Sequence, residues 1–132
     1  MSVPGWTALV TVLLVLEYAA FSGVVAIARR RTGIRAPAMS GAPLLDHAVR
    51  VHLNTLEKLA MVLPLLWISA LTVSDRLAAA LAFGWLLTRI GYAIGYMIRP
   101  RLRTYGAIAG DVFEGSLALM ALYGAIVTLL GS

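Results

Sequence analysis

Four long apolar segments dominate this chain of 132 residues. Each is at least as long as the roughly 20 residues that a helix needs to cross the hydrocarbon of a bilayer. So short a chain has too small an interior to hide these segments from water, and 61% of its residues are hydrophobic. The segments cover about 6–28, 44–73, 77–98 and 105–130. We therefore predict an all-α integral membrane protein, with residues 1–132 forming a single four-helix transmembrane domain.

The arginines are distributed unevenly between the ends of the predicted helices. Those that border the first and third connections are Arg29, Arg30, Arg31, Arg35, Arg99, Arg101 and Arg103. The second connection and the two termini together carry only Arg76. By the positive-inside rule, loops 1 and 3 are predicted to be cytosolic and both termini to lie on the opposite side, in the inner membrane if the protein is bacterial. These arginines indicate the lipid bilayer as a partner, and not nucleic acid.

Seven charged side chains that membrane orientation does not explain lie within or just inside the predicted spans. They are Glu17, Arg50, Glu57, Lys58, Arg89, Asp111 and Glu114. Insertion scales put the cost of such a group at about 2.5–3.5 kcal/mol at the centre of a helix. These groups are therefore expected to face one another or a wet cavity.

Three polar residues share one stripe of the second predicted helix. At 100° per residue, Arg50, Asn54 and Glu57 fall within about 60° of one another. Counted from the cytosolic ends of their helices, Glu57 and Arg89 lie at comparable depths, roughly 10 and 15 Å from Arg50 and Arg99. The spacing therefore predicts a Glu57–Arg89 ion pair between the second and third helices.

A second polar stripe runs along the third predicted helix. Its members are Trp85, Arg89, Tyr92, Tyr96 and Arg99, at intervals of four, three, four and three residues. Two tyrosines and several arginines exceed what one helix-to-helix ion pair requires. The excess of positive charge favours a binding site for an anionic ligand.

Two segments resemble signatures of the MAPEG family, the membrane-associated proteins in eicosanoid and glutathione metabolism. RVHLNTLEKL, at positions 50–59, is similar to the family's second-helix signature, and RIGYAIGY, at 89–96, is similar to its third-helix segment. Arg103, seven residues after Tyr96, matches the arginine that begins the family's fourth helix. Arg30, twenty residues before Arg50, fits a first-helix arginine of the leukotriene C synthase branch.

The resemblance implies a homotrimer that binds glutathione, as a cosubstrate, at each subunit interface near the cytosolic face. The residues expected to bind it are Arg50, Asn54, Glu57, Tyr92 and Tyr96, with Arg89 added from the same stripe. Arg103 is expected to stabilise the thiolate, and Arg30 to contribute from the adjacent subunit. Arginines suit the two carboxylates of glutathione, and a carboxylate suits its ammonium. A cation beside a thiol lowers the thiol pKa and favours the nucleophilic thiolate.

Three departures from the family patterns bear on the substrate. Lys58 stands where the leukotriene branch has a tyrosine, and Leu53 and Tyr92 replace an arginine and a histidine of the prostaglandin E synthase branch. The sequence therefore favours a general detoxification enzyme over either eicosanoid specialisation. We expect a glutathione transferase or peroxidase that acts on lipophilic small-molecule electrophiles or hydroperoxides.

Two other functions stay open at this point. Glu17, alone in the first span, is typical of small exporters that exchange protons for cationic drugs, although an arginine-rich cavity would repel such drugs. A membrane protein that binds glutathione without turnover is the other alternative. Because the chain has no cysteine, it has no thiol nucleophile or thiolate metal ligand, and we expect no metal site.

Several further residues carry structural expectations. His52 lies on the far side of its helix from the Arg50 stripe and is expected to contact the membrane interface or another subunit. Trp85 is a candidate to line a substrate groove. Asp111 and Glu114 could share a proton or meet an arginine from another helix, and the sequence leaves both open. The pairs Gly91/Gly95 and Gly106/Gly110 are expected to allow close packing of helices.

Overall fold

A computed structural model describes residues 2–132, and within that range the chain forms four long α-helices and no strand. The helices are α1 (Gly5–Thr32), α2 (Pro43–Thr72), α3 (Asp75–Ile98) and α4 (Arg103–Leu130), with a 3-10 turn at Pro100–Leu102 before α4. All four are long and apolar enough to cross a membrane. The prediction of an all-helical, four-span architecture is therefore confirmed.

The first helix is longer than the sequence predicted. It continues past residue 28 to Thr32, so that the basic run Arg29–Arg31 forms its last turn. Cations are favoured there because they complement the negative end of the helix dipole. Gly33, with φ 71°, ends the helix by donating its N–H to the Arg29 carbonyl. Arg30 consequently projects from a helix and not from a loop.

The turn between α2 and α3 ties three helices together. The Ser74 hydroxyl accepts the Leu77 N–H at 3.2 Å and caps α3. Asp75, the first residue of α3, accepts the N–H groups of Trp6 and Thr7 at 3.1 and 2.8 Å. These two amides belong to the first turn of α1 and have no partner within that helix. One carboxylate of α3 therefore fixes the start of α1.

Removing that carboxylate is expected to destabilise the bundle. In Asp75→Ala two N–H groups of α1 lose their acceptor, so we expect the free energy of unfolding to fall. Asp75→Asn retains one side-chain oxygen and is expected to fall in between. Unfolding of the three proteins in the same detergent checks this order, and equal stabilities would contradict the role given to Asp75.

The helices run alternately up and down. Gly124 of α4 lies against Thr72 and Val73 at the end of α2, and the start of α1 lies at the same end of the bundle through Asp75. At the opposite end of the bundle lie the end of α1, the start of α2, the end of α3 and the start of α4. Most of the predicted site residues lie in that half.

Glycines allow α3 and α4 to approach closely. A Cβ at Gly106 would lie 2.6 Å from the Tyr92 backbone nitrogen, and one at Gly95 would lie 3.1 Å from the backbone of Leu102. A Cβ at Gly110 would meet the Thr88 hydroxyl at 3.2 Å. The predicted packing role is thus confirmed for Gly106 and Gly110, whereas Gly95 packs against the 3-10 turn and Gly91 faces open space.

Candidate functional site

A polar cleft of about 250 Å³ opens between α2, α3 and α4. Its charged and polar lining includes Asn54, Lys58, Arg89, Tyr92, Arg103, Asp111 and Glu114. We call this space the polar cleft. Four of its residues, Asn54, Arg89, Tyr92 and Arg103, were predicted from the sequence to bind or activate glutathione. The structure therefore brings together the polar stripes of α2 and α3 with the first turns of α4.

Arg89 is the buried cation of this region. Its side chain is 2% exposed, and its Nη2 donates to Asn54 Oδ1 and to Thr55 Oγ1, each at 2.9 Å. The guanidinium also lies 4.1 Å from the centre of the Tyr92 ring, a favourable cation–π distance. Because Asn54 Oδ1 accepts from Arg89, the amide nitrogen of Asn54 is the group left to donate to a ligand.

The predicted Glu57–Arg89 ion pair is wrong. Arg89 reaches neutral oxygens of α2 instead, and Glu57 is exposed on the surface of the protomer. The buried face of α2 includes Val51 and Thr55. Val51 follows Arg50 directly and therefore points about 100° away from the Arg50 stripe. Arg89 meets α2 at Asn54 and Thr55, whereas Glu57 lies on the exposed surface of that helix.

Arg103 and Tyr96 form a contact between the start of α4 and the end of α3. Arg103 Nη1 donates to the Tyr96 hydroxyl at 3.1 Å, and the guanidinium lies 5.1 Å from the centre of the same ring. The Tyr96 ring lies 5.8 Å from Tyr92 and meets His47 edge-on at 5.0 Å. Within residues 2–132 no carboxylate lies within ion-pair distance of Arg103. Its remaining N–H groups can therefore bind an anion.

The polar cleft also holds an ion-pair network that the sequence did not predict. Lys58 Nζ lies 3.0 Å from Asp111 Oδ1 and 3.1 Å from Glu114 Oε2. Glu114 Oε1 in turn accepts the Trp85 indole N–H at 2.8 Å. The sequence did contain an indication of this network. Lys58, the sole lysine, lies one helical turn beyond Asn54, and it falls within a predicted span, as Asp111 and Glu114 do.

Two sequence expectations about this network need correction. Asp111 and Glu114 were expected to share a proton or meet an arginine, and their partner is Lys58. Trp85 was a candidate to line a substrate groove, but it is fully buried in the core. Its indole nitrogen needs a hydrogen-bond acceptor when buried, and Glu114 supplies one.

Comparison with known proteins decides the family. The model of the MAPEG family matches residues 7–127. This chain belongs to the MAPEG family. An uncharacterised protein of Synechocystis is 38% identical over 117 residues, which cover 89% of this chain and 85% of that protein. The leukotriene C4 synthases of Mus musculus and Rattus norvegicus are each 31% identical over 123 residues, covering 93% of this chain and 82% of theirs.

The other predicted site residues of this MAPEG chain lie outside the polar cleft. Arg50 and Tyr96 line a neighbouring cleft of about 310 Å³, together with Asp46. Tyr96 therefore stands between the two clefts, because its hydroxyl contacts Arg103. Arg30 and Glu57 are exposed on the surface of the protomer. The residues expected to bind one ligand thus lie partly in clefts and partly on an open helical surface.

Two embedded groups of the MAPEG chain lie between α1 and the rest of the bundle. The His52 ring, which is half-buried in the protomer, stacks on Tyr18 of α1, with ring centres 4.5 Å apart. Both carboxylate oxygens of Glu17 are buried and have no hydrogen-bond partner within residues 2–132. Arg89 Nε is likewise buried and has no hydrogen-bond partner within residues 2–132.

Proposed function

We propose that this MAPEG protein is a membrane-bound glutathione transferase or peroxidase. The observation that carries the proposal is the pair of opposite charges, Arg50 and Glu57, exposed on one stripe of a spanning helix. Neither forms an ion pair within residues 2–132. Unpaired charges at a protein surface inside a membrane are costly. A ligand that carries both signs of charge would satisfy both residues.

Glutathione has the charges and the length for this stripe. Seven residues of helix separate Arg50 from Glu57, which is about 10 Å along the axis, and a tripeptide spans at most about 10 Å. Arg50 would bind a carboxylate with two parallel hydrogen bonds, and Glu57 would accept from the ammonium. Asn54 lies between them and offers its amide nitrogen to the peptide backbone. Tyr92 and Tyr96 would complete the site from α3, with Arg89 holding Asn54 in position.

The exposed position of this stripe supports a site between subunits. The hydrocarbon of the bilayer offers no partner to Arg50 or Glu57, whereas a second copy of the chain laid against α2 would enclose both charges together with the ligand. Such a copy could supply Arg30, which is exposed near the same end of the bundle. We therefore propose a homotrimer with one glutathione at each interface, near the cytosolic side that loops 1 and 3 define.

Arg103 is proposed to activate the bound thiol. Its guanidinium is oriented by the Tyr96 hydroxyl and keeps further N–H groups free for a sulfur anion. A guanidinium does not lose its own proton, so it favours the thiolate without competing for the proton. The thiolate would then attack a lipophilic electrophile or hydroperoxide that reaches the site from the membrane.

Glutathione binding can be tested by isothermal titration of the detergent-purified protein. We expect Glu57→Gln and Arg50→Ala each to weaken binding at least tenfold, which is 1.4 kcal/mol, because each loses a charged contact. Arg76→Ala, at the opposite end of the bundle, is the control for removal of a cation and is expected to bind normally.

A glutathione analogue tests whether Glu57 binds the ammonium of the ligand. Glutathione that lacks the α-amino group should bind the native protein weakly, and Glu57→Gln should weaken it no further, because the two changes remove the same contact. Additive losses would place the ammonium elsewhere. Absence of glutathione binding by the native protein would contradict the proposed function.

The transport alternative lacks support from Glu17. An exporter needs a carboxylate that water and substrate can reach, but both Glu17 oxygens are buried. The cations around the polar cleft also oppose a cationic substrate. The structure therefore gives no observation that favours proton-coupled transport as a second function.

A further inference from the structure

The Lys58 ammonium is held in a fixed position on the wall of the polar cleft. Two carboxylates of α4 accept from it at 3.0 and 3.1 Å, and one of them, Glu114, is anchored in turn by the Trp85 indole. An ammonium has three N–H donors, so one remains after these two bonds. Lys58 and Arg103 both line the same cleft. A substrate in that cleft therefore meets both cations.

The two cations differ in chemistry. Arginine keeps its proton, whereas a lysine ammonium can release one and regain it. The Asp111 side chain is 62% exposed and lines the polar cleft, while the Glu114 side chain is only 12% exposed. The network thus contains one proton donor, one carboxylate that is open to the cleft and one buried carboxylate.

We propose that Lys58 is a catalytic residue that protonates the leaving oxygen of a hydroperoxide, an inference that rests on the proposed function. The glutathione thiolate attacks the terminal oxygen, an S–O bond forms and the O–O bond breaks. The sulfur is oxidised to a sulfenic acid and the peroxide is reduced, and the departing alkoxide takes a proton from the Lys58 ammonium to give an alcohol. A second glutathione then reduces the sulfenic acid, giving glutathione disulfide and water. Asp111 returns a proton from solvent to Lys58.

The leaving group decides whether this proton matters. An alkoxide is a strong base and leaves far faster when it is protonated as it departs, and general acid catalysis of this kind contributes about 10²–10⁴-fold. Chloride is a very weak base and needs no proton. Lys58 should therefore favour oxygen leaving groups over halide leaving groups. Asp111 and Glu114 act as positioning residues, because they act through Lys58.

Lys58→Arg tests this assignment without removing the positive charge. Its guanidinium can still pair with Asp111 and Glu114, but it is a poor proton donor. In full-length protein in detergent, we measure glutathione-dependent reduction of cumene hydroperoxide and conjugation of 1-chloro-2,4-dinitrobenzene. The hydroperoxide rate divided by the aryl chloride rate is expected to fall at least tenfold in Lys58→Arg. Arg76→Lys is the control for a cation exchange at the far end of the bundle and should keep the native ratio.

The outcomes separate this inference from the proposed function. A ratio that Lys58→Arg leaves unchanged would overturn the inference, because a lysine that only joins α2 to α4 would affect both reactions by the same factor. A native protein that conjugates the aryl chloride but reduces no hydroperoxide would also overturn it and leave the proposed function standing. Absence of glutathione binding in the titration would remove the proposed function and the inference together.

Discussion

Arg103→Ala is expected to slow glutathione-dependent turnover by about 100-fold or more. Removing one preorganised donor from a developing anion typically costs 10²–10³ in rate, and Arg103 is the proposed donor to the sulfur. The Arg103 side chain is exposed at the start of α4, and its one side-chain hydrogen bond within residues 2–132 is to Tyr96. We therefore expect the fold to persist. Turnover of 1-chloro-2,4-dinitrobenzene at saturating glutathione measures the loss.

The matched control for Arg103 is Arg101→Ala. Arg101 lies two residues before Arg103, in the 3-10 turn, and is exposed. Its substitution by alanine removes the same charge from this end of the bundle as Arg103→Ala does. It is expected to keep native turnover because it lies outside the polar cleft lining. Equal losses in the two variants would mean that general positive potential at this end of the bundle matters, and not the contact at Arg103.

Gly106→Ala is expected to disrupt both the bundle and the site. The new Cβ would lie 2.6 Å from the backbone nitrogen and 2.7 Å from the Cα of Tyr92, and backbone atoms of a packed helix cannot move aside without separating α3 from α4. Overpacking of this kind costs about 1–3 kcal/mol. Because Tyr92 lines the polar cleft, glutathione affinity should fall as well. Unfolding in detergent and isothermal titration measure the two effects.

Gly91→Ala is the control for Gly106→Ala. It introduces the same methyl group in the same kind of glycine pair, but nothing lies within 4 Å of the new atom in the protomer. Alanine has the higher helix propensity, by about 1 kcal/mol, so stability should hold or rise. If Gly106→Ala were as stable as Gly91→Ala, close contact between α3 and α4 would not be needed.

Most of the helical architecture could be predicted from the sequence because hydrocarbon leaves few choices. A long apolar segment must satisfy its backbone internally, which makes it a helix, and the cap at Ser74 follows from residue type. The end of α1 was predicted too early because hydropathy falls at Arg29 while the helix does not. A fall in hydropathy marks the residue at which the chain leaves the hydrocarbon, but the helix continues for as long as its backbone hydrogen bonds are formed.

The sequence indicated four of the residues that line the polar cleft, but not how the polar side chains pair. Periodicity indicated which residues share a stripe of each helix. It could not fix the rotation of α2 against its neighbours, which points Thr55 at Arg89 and leaves Glu57 outside. The Lys58 network was missed for the same reason, since it depends on how α2 faces α4.

The most direct test of the central claim is the ultraviolet difference spectrum of the native protein with glutathione at pH 7. Free thiols ionise with a pKa of about 8.5 and are only a few per cent thiolate at this pH. We predict a thiolate band that rises to one equivalent per binding site and disappears in Arg103→Ala. Glutathione that binds in the titration but shows no thiolate band would contradict the claim that this protein activates it.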